Sequence, residues 1–157
     1  MEQTEWKRRL QGILETFRQG HGLGVLCTRM PSGEPHACWM GTIALPRLDR
    51  VLTISSPDSR KVTNIRKYPA VEWMFLDEAR ETVLYLRGQA RVVEEVAAIK
   101  SAWQELPDKS QAYFLPYQHG AGFVLIETRV ETLEALVPKE NAKRTFSVED
   151  AAEQLGL

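Results

Sequence analysis

Hydrophobic residues recur every three or four positions over residues 4–19, which predicts an amphipathic helix at the start of the chain. Thr4 stands where an N-cap belongs, and Gly20 interrupts the periodic stretch. The apolar positions of this helix are Trp6, Leu10, Ile13, Leu14 and Phe17. Such a helix has one apolar face, so we expect it to pack on another element.

After this helix the pattern changes to apolar runs of the length typical of strands. The six runs cover residues 23–30, 36–45, 51–55, 70–76, 82–93 and 123–137. The last run is long enough for a strand pair or one bent strand, and Gly88 indicates a bulge or a close backbone approach. Helices are inserted between the strands without regular alternation. We therefore predict a mainly β fold, an antiparallel barrel of about six strands with flanking helices.

Two helices are expected between these strands. The sequence Ser56-Pro57-Asp58 predicts a helix start, because proline fits the first turn, where its missing N–H has no partner. This helix should end before Pro69, since the residue that precedes a proline disfavours the α conformation. Residues 94–106 predict the second helix, and its apolar stripe contains Ile99, Trp103 and Leu106.

The end of the chain is more polar. Residues 141–145 read as a polar linker, and a short helix over 147–155 follows, with Asp150 three residues after its serine cap. We therefore predict a domain over 1–137, including the N-terminal helix, and a linker with a short helix over 138–157.

Composition narrows the functional classes. The chain has 157 residues with 43% hydrophobic and 26% charged residues, as in ordinary globular proteins. Its net charge of −1 gives no overall attraction to nucleic acid or to an anionic membrane, so any anion specificity must be local. We find no apolar run that could span a bilayer and no signal peptide. Two cysteines are too few for a secreted disulfide framework, so a cytoplasmic location is expected.

The two cysteines fall in the first predicted hairpin. If Ser32 and Gly33 form the centre of a two-residue turn, Cys27 and Cys38 stand directly opposite each other, nearly close enough for a bridge. The alternative is two small buried side chains with free thiols in a reducing compartment, which we favour.

The most informative segment covers residues 51–70. It is a strand that ends in hydroxyls and leads into a helix whose first turn carries two cations. The residues concerned are Ser55, Ser56, Ser59, Arg60 and Lys61. The unbonded N–H groups and positive end of a helix favour a phosphate, Arg offers a planar fork, and Lys offers a mobile charge. The alternative is a capped helix with two solvated cations.

This segment resembles a known family. Residues 54–71, ISSPDSRKVTNIRKYPAV, are similar to the strand–helix signature of the FMN-binding split-barrel family related to pyridoxamine 5′-phosphate oxidase. Ser55 matches the hydroxyl at the strand end, the triplet 59–61 matches Ser-Arg-Lys, and Pro69 matches a later proline, while Tyr68 replaces the usual Asn. Residues 85–95 resemble the family's Gly-x-Ala strand. The likeness covers about residues 20–137 and is greatest to the general stress protein branch.

The resemblance implies a six-stranded split barrel that binds FMN between two subunits of a homodimer. It implies that the flavin ring lies along the segment that holds Trp39, Met40, Gly41 and Thr42, with Gly41 permitting close approach. Strand alternation sends Trp39 and Met40 to opposite faces, so at most one of them should point at the flavin. The aromatic-rich loop 113–117 and the leading helix are expected to help close the interface.

The expected function is that of an FMN-dependent oxidoreductase acting on an unknown small molecule, with the flavin carrying the redox chemistry and no identified catalytic side chain. The oxidase's C-terminal Arg-x-His motif has no counterpart here, which argues against vitamin B6 oxidation. The main alternative is a non-catalytic module that binds or senses flavin or haem, and a cofactor-free interaction domain is another. We predict no metal site, and nucleic-acid binding through Arg60, Arg66 and Lys67 is a minor alternative.

Overall fold

Eight antiparallel strands form one curved sheet in the computed structural model, which describes residues 1–114 and 122–156. The strands are β1 (Gly24–Arg29), β2 (Pro35–Met40), β3 (Ile43–Arg47), β4 (Arg50–Ser55), β5 (Ala70–Leu76), β6 (Val83–Val93), β7 (Val124–Val137) and β8 (Ala142–Ser147). Their order across the sheet is β2-β1-β5-β6-β7-β4-β3, and β8 also pairs with β7. The prediction of a mainly β fold is confirmed.

Helices flank this sheet. They are α1 (Gln3–Arg18), α2 (Arg60–Lys67), α3 (Val96–Glu105), α4 (Asp108–Phe114) and α5 (Val148–Leu155), with a 3-10 turn at Pro138–Glu140. None of the helices in the described ranges is both long enough and apolar enough to cross a membrane. Tyr117, from the predicted aromatic-rich loop, lies outside the described residues, as do the side chains of Tyr113 and Phe114.

Helix α1 supplies one wall of the core, as its sequence pattern predicts. Its five apolar side chains are each at most 4% exposed. Phe17 meets Phe75 of β5 edge to face, with ring centroids 4.7 Å apart. Inside the sheet the Trp73 Nε1–H donates to Thr128 Oγ1 over 3.0 Å, and both residues are fully buried. This bond joins β5 to β7 across the core, because neither strand pairs with the other.

Strand β7 is shared by two parts of the sheet. Its first half pairs with β4, its second half pairs with β8, and β6 runs along both halves. The register between β6 and β7 shifts after Arg87, which leaves Glu131 without an opposite residue. At this bulge Gly88 lies so close to β7 that a Cβ would stand 2.0 Å from the carbonyl oxygen of Arg129. The close approach predicted for Gly88 is confirmed.

Two strands were not expected. The predicted strand 36–45 is divided at Gly41-Thr42 into β2 and β3. The prediction of a polar linker over 141–145 is wrong, because β8 pairs with β7 from Ala142 to Ser147. Its polar side chains alternate outward while Phe146 is buried in the main core, together with Ala151 and Leu155 of α5. Six expected strands therefore become eight.

The first hairpin has a different register from the one considered for the cysteines. Cys27 stands opposite Ala37, and Cys38 stands opposite Leu26. The reason is a three-residue loop, in which Gly33 adopts a φ of 95° and its N–H donates to the carbonyl oxygen of Met30. A shift of one residue places the two cysteines on opposite faces. Both thiols are free.

Helix α2 begins later than predicted, at Arg60 instead of beside Pro57. Residues 56–59 form a turn, closed by a hydrogen bond from the Ser59 N–H to the carbonyl oxygen of Ser56. Arg60 and Lys61 therefore occupy the first two helical positions, as the sequence implied. The helix ends before Pro69, also as expected.

The approach at Gly88 gives a prediction for stability. Gly88→Ala should lower the free energy of unfolding by roughly 3 kcal/mol or more, because the methyl group would overlap backbone that cannot rotate away. Chemical denaturation measures this loss. The matched control is Gly12→Ala on the exposed side of α1, where a Cβ meets nothing within 4 Å and alanine should stabilise the helix by up to about 1 kcal/mol. Equal effects of the two substitutions on the free energy of unfolding would contradict the close backbone approach at Gly88.

Candidate functional site

A cleft of about 610 Å³ opens where β2 and β4 end and α2 begins. Its volume lies within the roughly 300–1,000 Å³ typical of small-molecule sites. Seven of the nine residues predicted to hold a cofactor line it: Trp39, Met40, Gly41, Thr42, Ser55, Ser56 and Lys61. The fold thus brings together two segments that are more than ten residues apart in the chain. The ligand they bind stays a prediction.

One end of the cleft is rich in hydrogen-bond donors. Ser55, the last residue of β4, is only 4% exposed. Its hydroxyl lies 2.8 Å from the hydroxyl of Ser59, and the Lys61 ammonium donates to the same Ser55 oxygen over 3.3 Å. Ser59 and Arg60 do not line the cleft themselves. Ser59 nevertheless contributes, because it fixes the position of the Ser55 hydroxyl.

The start of α2 adds backbone donors at the same place. The backbone N–H groups of Arg60 and Lys61 have no acceptor within residues 1–114 and 122–156. Within those ranges neither side chain forms an ion pair with a carboxylate either. Two cations and two backbone donors therefore retain their capacity to bind an anion.

The charges at the start of α2 also act on the neighbouring hairpin. Burial raises the pKa of the Cys38 thiol, and the nearby positive charges of Lys61 and Arg60 oppose that rise. The Cys38 Sγ atom lies 3.3 Å from His36 Nδ1 on the same face of β2. The positive potential of the helix start thus reaches β2, the strand whose last residues line the cleft.

The other end of the cleft is formed by the last residues of β2 and the link to β3. Met40 is buried and Trp39 is 68% exposed, which confirms their alternation along the strand. Both nevertheless line the cleft, because the strand ends at Met40 beside the opening. Which of the two side chains faces a ligand stays a prediction.

The link between β2 and β3 leaves its backbone accessible. A Cβ on Gly41 would meet only the Leu23 side chain, at an ordinary 3.6 Å. The next residue is fixed in place, because the Thr53 hydroxyl donates to the Thr42 carbonyl oxygen over 2.7 Å. A flat ring could therefore approach the backbone at Gly41 against a rigid strand edge.

Sequence reasoning missed five lining residues: Leu23, Ile54, Lys109, Ser110 and Gly122. Ile54 could have been found from its position beside Ser55. Lys109 and Ser110 belong to α4, a helix that the sequence pattern does not predict, so no local signal places them here. Only the packing of α4 against the rest of the fold reveals them.

In the part of the chain that the structure describes, no three His, Cys, Asp or Glu side chains are grouped so that they could hold a metal ion. His21 and His36 lie apart, and neither lines the cleft. His119 lies outside the described residues.

Comparisons with known proteins fit this geometry. The sequence model of the pyridoxamine 5′-phosphate oxidase family matches residues 10–136. A Clostridium acetobutylicum protein related to general stress protein 26 is 14% identical, with a TM-score of 0.75 over 96% of this chain and 99% of that chain. A Nostoc punctiforme FMN-binding protein related to pyridoxamine 5′-phosphate oxidase is 14% identical, with a TM-score of 0.63 over 92% and 95%.

A third structure widens the range of ligands among similar folds. A heme-binding protein from Mycobacterium smegmatis is 16% identical, with a TM-score of 0.73 over 94% of this chain and 60% of that chain. A search of curated proteins finds no match. At these identities the likenesses show the fold, and the split β-barrel prediction is confirmed.

Proposed function

The chain belongs to the pyridoxamine 5′-phosphate oxidase family, and from this premise we propose that it is a flavoprotein that binds FMN in the cleft. The observation that carries the proposal is the donor set at the start of α2. The Ser55 hydroxyl, which Ser59 contacts, and the Lys61 ammonium lie there, beside the backbone N–H groups of Arg60 and Lys61, which have no acceptor among the described residues. This set suits a phosphate dianion.

In this proposal the FMN phosphate binds Ser55, Ser56 and Lys61, with Arg60 adding positive charge from outside the cleft wall. The four residues 39–42 hold the isoalloxazine ring. The open backbone at Gly41 supports that assignment, because a flat ring needs close approach. Ser59 acts by positioning Ser55.

Bound FMN would supply hydride or electron transfer, and we propose that the protein is an oxidoreductase for a small molecule. The chain's own residues anchor the phosphate, place the ring edge against a fixed strand and exclude water on the Met40 side. We assign no proton-transfer role to any described side chain of the cleft. The substrate is not pyridoxamine 5′-phosphate in this proposal, since the Arg-x-His motif that would contact it is missing.

We also propose a homodimer with FMN at the interface. Two large apolar side chains on the cleft wall, Leu23 and Trp39, are 46% and 68% exposed. Exposed apolar groups beside a wide cleft are stabilised when another surface covers them. A second copy would cover both the groups and the ring. Cytoplasmic location stays a prediction.

A non-catalytic haem-binding or sensing module is the second candidate, favoured by the likeness to the Mycobacterium smegmatis protein. The cleft offers Met40 as a thioether ligand, but its described lining contains no imidazole. Its hydroxyls and lysines match a phosphate better than they match an iron centre.

The first test is the absorption spectrum of the freshly purified protein. We expect the two visible flavin bands and the release of FMN on heating, identified by mass spectrometry. An intense Soret band would show that the cofactor is haem and not FMN. Protein that stays colourless after incubation with FMN would contradict the proposal.

The second test concerns the phosphate anchor. Lys61→Ala should weaken FMN binding by about ten- to a hundredfold, since one hydrogen bond from a charged donor contributes roughly 1.5–3 kcal/mol. Quenching of FMN fluorescence measures the affinity. Lys67→Ala is the control, because Lys67 lies in the last turn of the same helix, is exposed and does not line the cleft. Full FMN occupancy in the Lys61→Ala variant would refute the assignment.

The third test concerns the dimer. Dilution below the dimer dissociation constant should release FMN, because in this proposal the second copy covers the ring. Sedimentation velocity and flavin fluorescence, recorded over the same range of protein concentration, should change together. A monomer that retains FMN would rule out an interfacial site.

A further inference from the structure

A buried hydrogen bond connects α2 to the first hairpin. The Asn64 Nδ2–H donates to Thr28 Oγ1 over 2.9 Å, and the two residues are 0% and 5% exposed. The Thr28 hydroxyl in turn donates to the backbone carbonyl oxygen of His36, over 3.5 Å. The donors and acceptors thus run in one direction, from α2 through β1 to β2.

Asn64 differs from the other buried residues of the same helix. Val62 and Ile65 are apolar and belong to the main core. The Asn64 Oδ1 atom is buried and has no hydrogen-bond partner among the described residues. A buried polar atom without a partner lowers stability, so an amide is a poor choice here for stability alone. What the amide adds is direction, because apolar contacts do not fix an orientation.

The position of this bond along α2 gives it a role in the cleft. At the start of the helix the Lys61 ammonium donates to the Ser55 hydroxyl, which attaches that turn to β4. Asn64 lies about one turn further and attaches the helix to β1. Among the described residues no other side chain of α2 forms a hydrogen bond with β1 or β2. Two attachments on different strands fix the direction of a helix axis, and one attachment does not.

From these observations we propose that Asn64 is a positioning residue for the cofactor. Through Thr28 it fixes the start of α2 relative to the first hairpin, and it thereby sets the distance between the phosphate donors and the ring segment, residues 39–42. A cofactor that carries both a phosphate and a ring gains from both ends of the cleft only when that distance matches its length. The inference rests on the proposed FMN site, because it concerns the spacing between the two ends of that site.

The test compares the complete cofactor with its two parts. FMN, riboflavin, which lacks the phosphate, and inorganic phosphate are each titrated into protein freed of flavin. Quenching of flavin fluorescence measures the affinities of FMN and riboflavin, and competition against FMN measures the affinity of phosphate. A change in spacing should weaken the binding of FMN alone, whereas damage to one end of the cleft should also weaken the binding of the part that binds there.

The variants replace the hydrogen-bonded pair by apolar residues of similar size. Thr28→Val alone leaves the buried Asn64 amide without an acceptor, so it should lower stability. Thr28→Val combined with Asn64→Leu removes both partners and should restore normal folding. This double variant should bind FMN about tenfold more weakly, since a misplaced phosphate loses roughly one hydrogen bond from a charged donor. Its affinities for riboflavin and for phosphate should each change by less than about twofold.

Two controls separate position from stability. Thr28→Ser keeps the hydroxyl, so the FMN affinity should stay within about twofold of the native value. Ile65→Val shortens a buried side chain of the same helix and removes no hydrogen bond. It should lower stability while the ratio of the FMN affinity to the riboflavin affinity stays unchanged.

Three results would overturn the role of Asn64 and leave the FMN assignment standing. If the double variant binds FMN as the native protein does, the pair sets no spacing. If FMN and one of its two parts lose affinity equally, the pair supports one end of the cleft and not the distance between the ends. If the double variant does not fold, the pair is a requirement for folding. If the native protein does not bind FMN, both proposals fail.

Discussion

Strand β7 serves two parts of the sheet at once, and it can do so because β6 approaches it at Gly88 without a side chain between them. The bulge at Glu131 lies where the pairing of β7 changes from β4 to β8. The curvature that follows brings the end of β4 and the end of β2 to one opening. The cleft therefore depends on a backbone contact that lies outside it.

The same geometry explains how a chain with a net charge of −1 can contain a strongly cationic site. Acidic partners neutralise many cations elsewhere, as Glu127 does for Arg50 and Arg91 on the outside of the sheet. The lysines of the cleft have no such partners among the described residues. Positive charge at a helix start, in a cleft lined partly by apolar residues, attracts an anion more strongly than the same charge in open solvent.

Local sequence patterns were sufficient to predict the structure of a segment where its own residues determine that structure. The apolar spacing of α1, the glycine at position 88 and the cations in the first turn of α2 could all be predicted. Prediction failed where pairing with a distant segment determines the structure. The sequence of β8 is polar, and it forms a strand because it pairs with β7. The register of the first hairpin depends on the length of the loop that Gly33 closes. Lys109 and Ser110 reach the cleft only through the packing of α4, which no sequence periodicity encodes.

The difference between features set by one local segment and features set by distant packing also applies to the cleft. The proposed phosphate anchor is built from one continuous segment, residues 55–61, so its groups are brought together by the local strand–helix turn. Another part of the cleft wall, Lys109 and Ser110, comes from the separate helix α4. The two parts of the wall can therefore vary independently, and similar barrels can hold different ligands on one backbone.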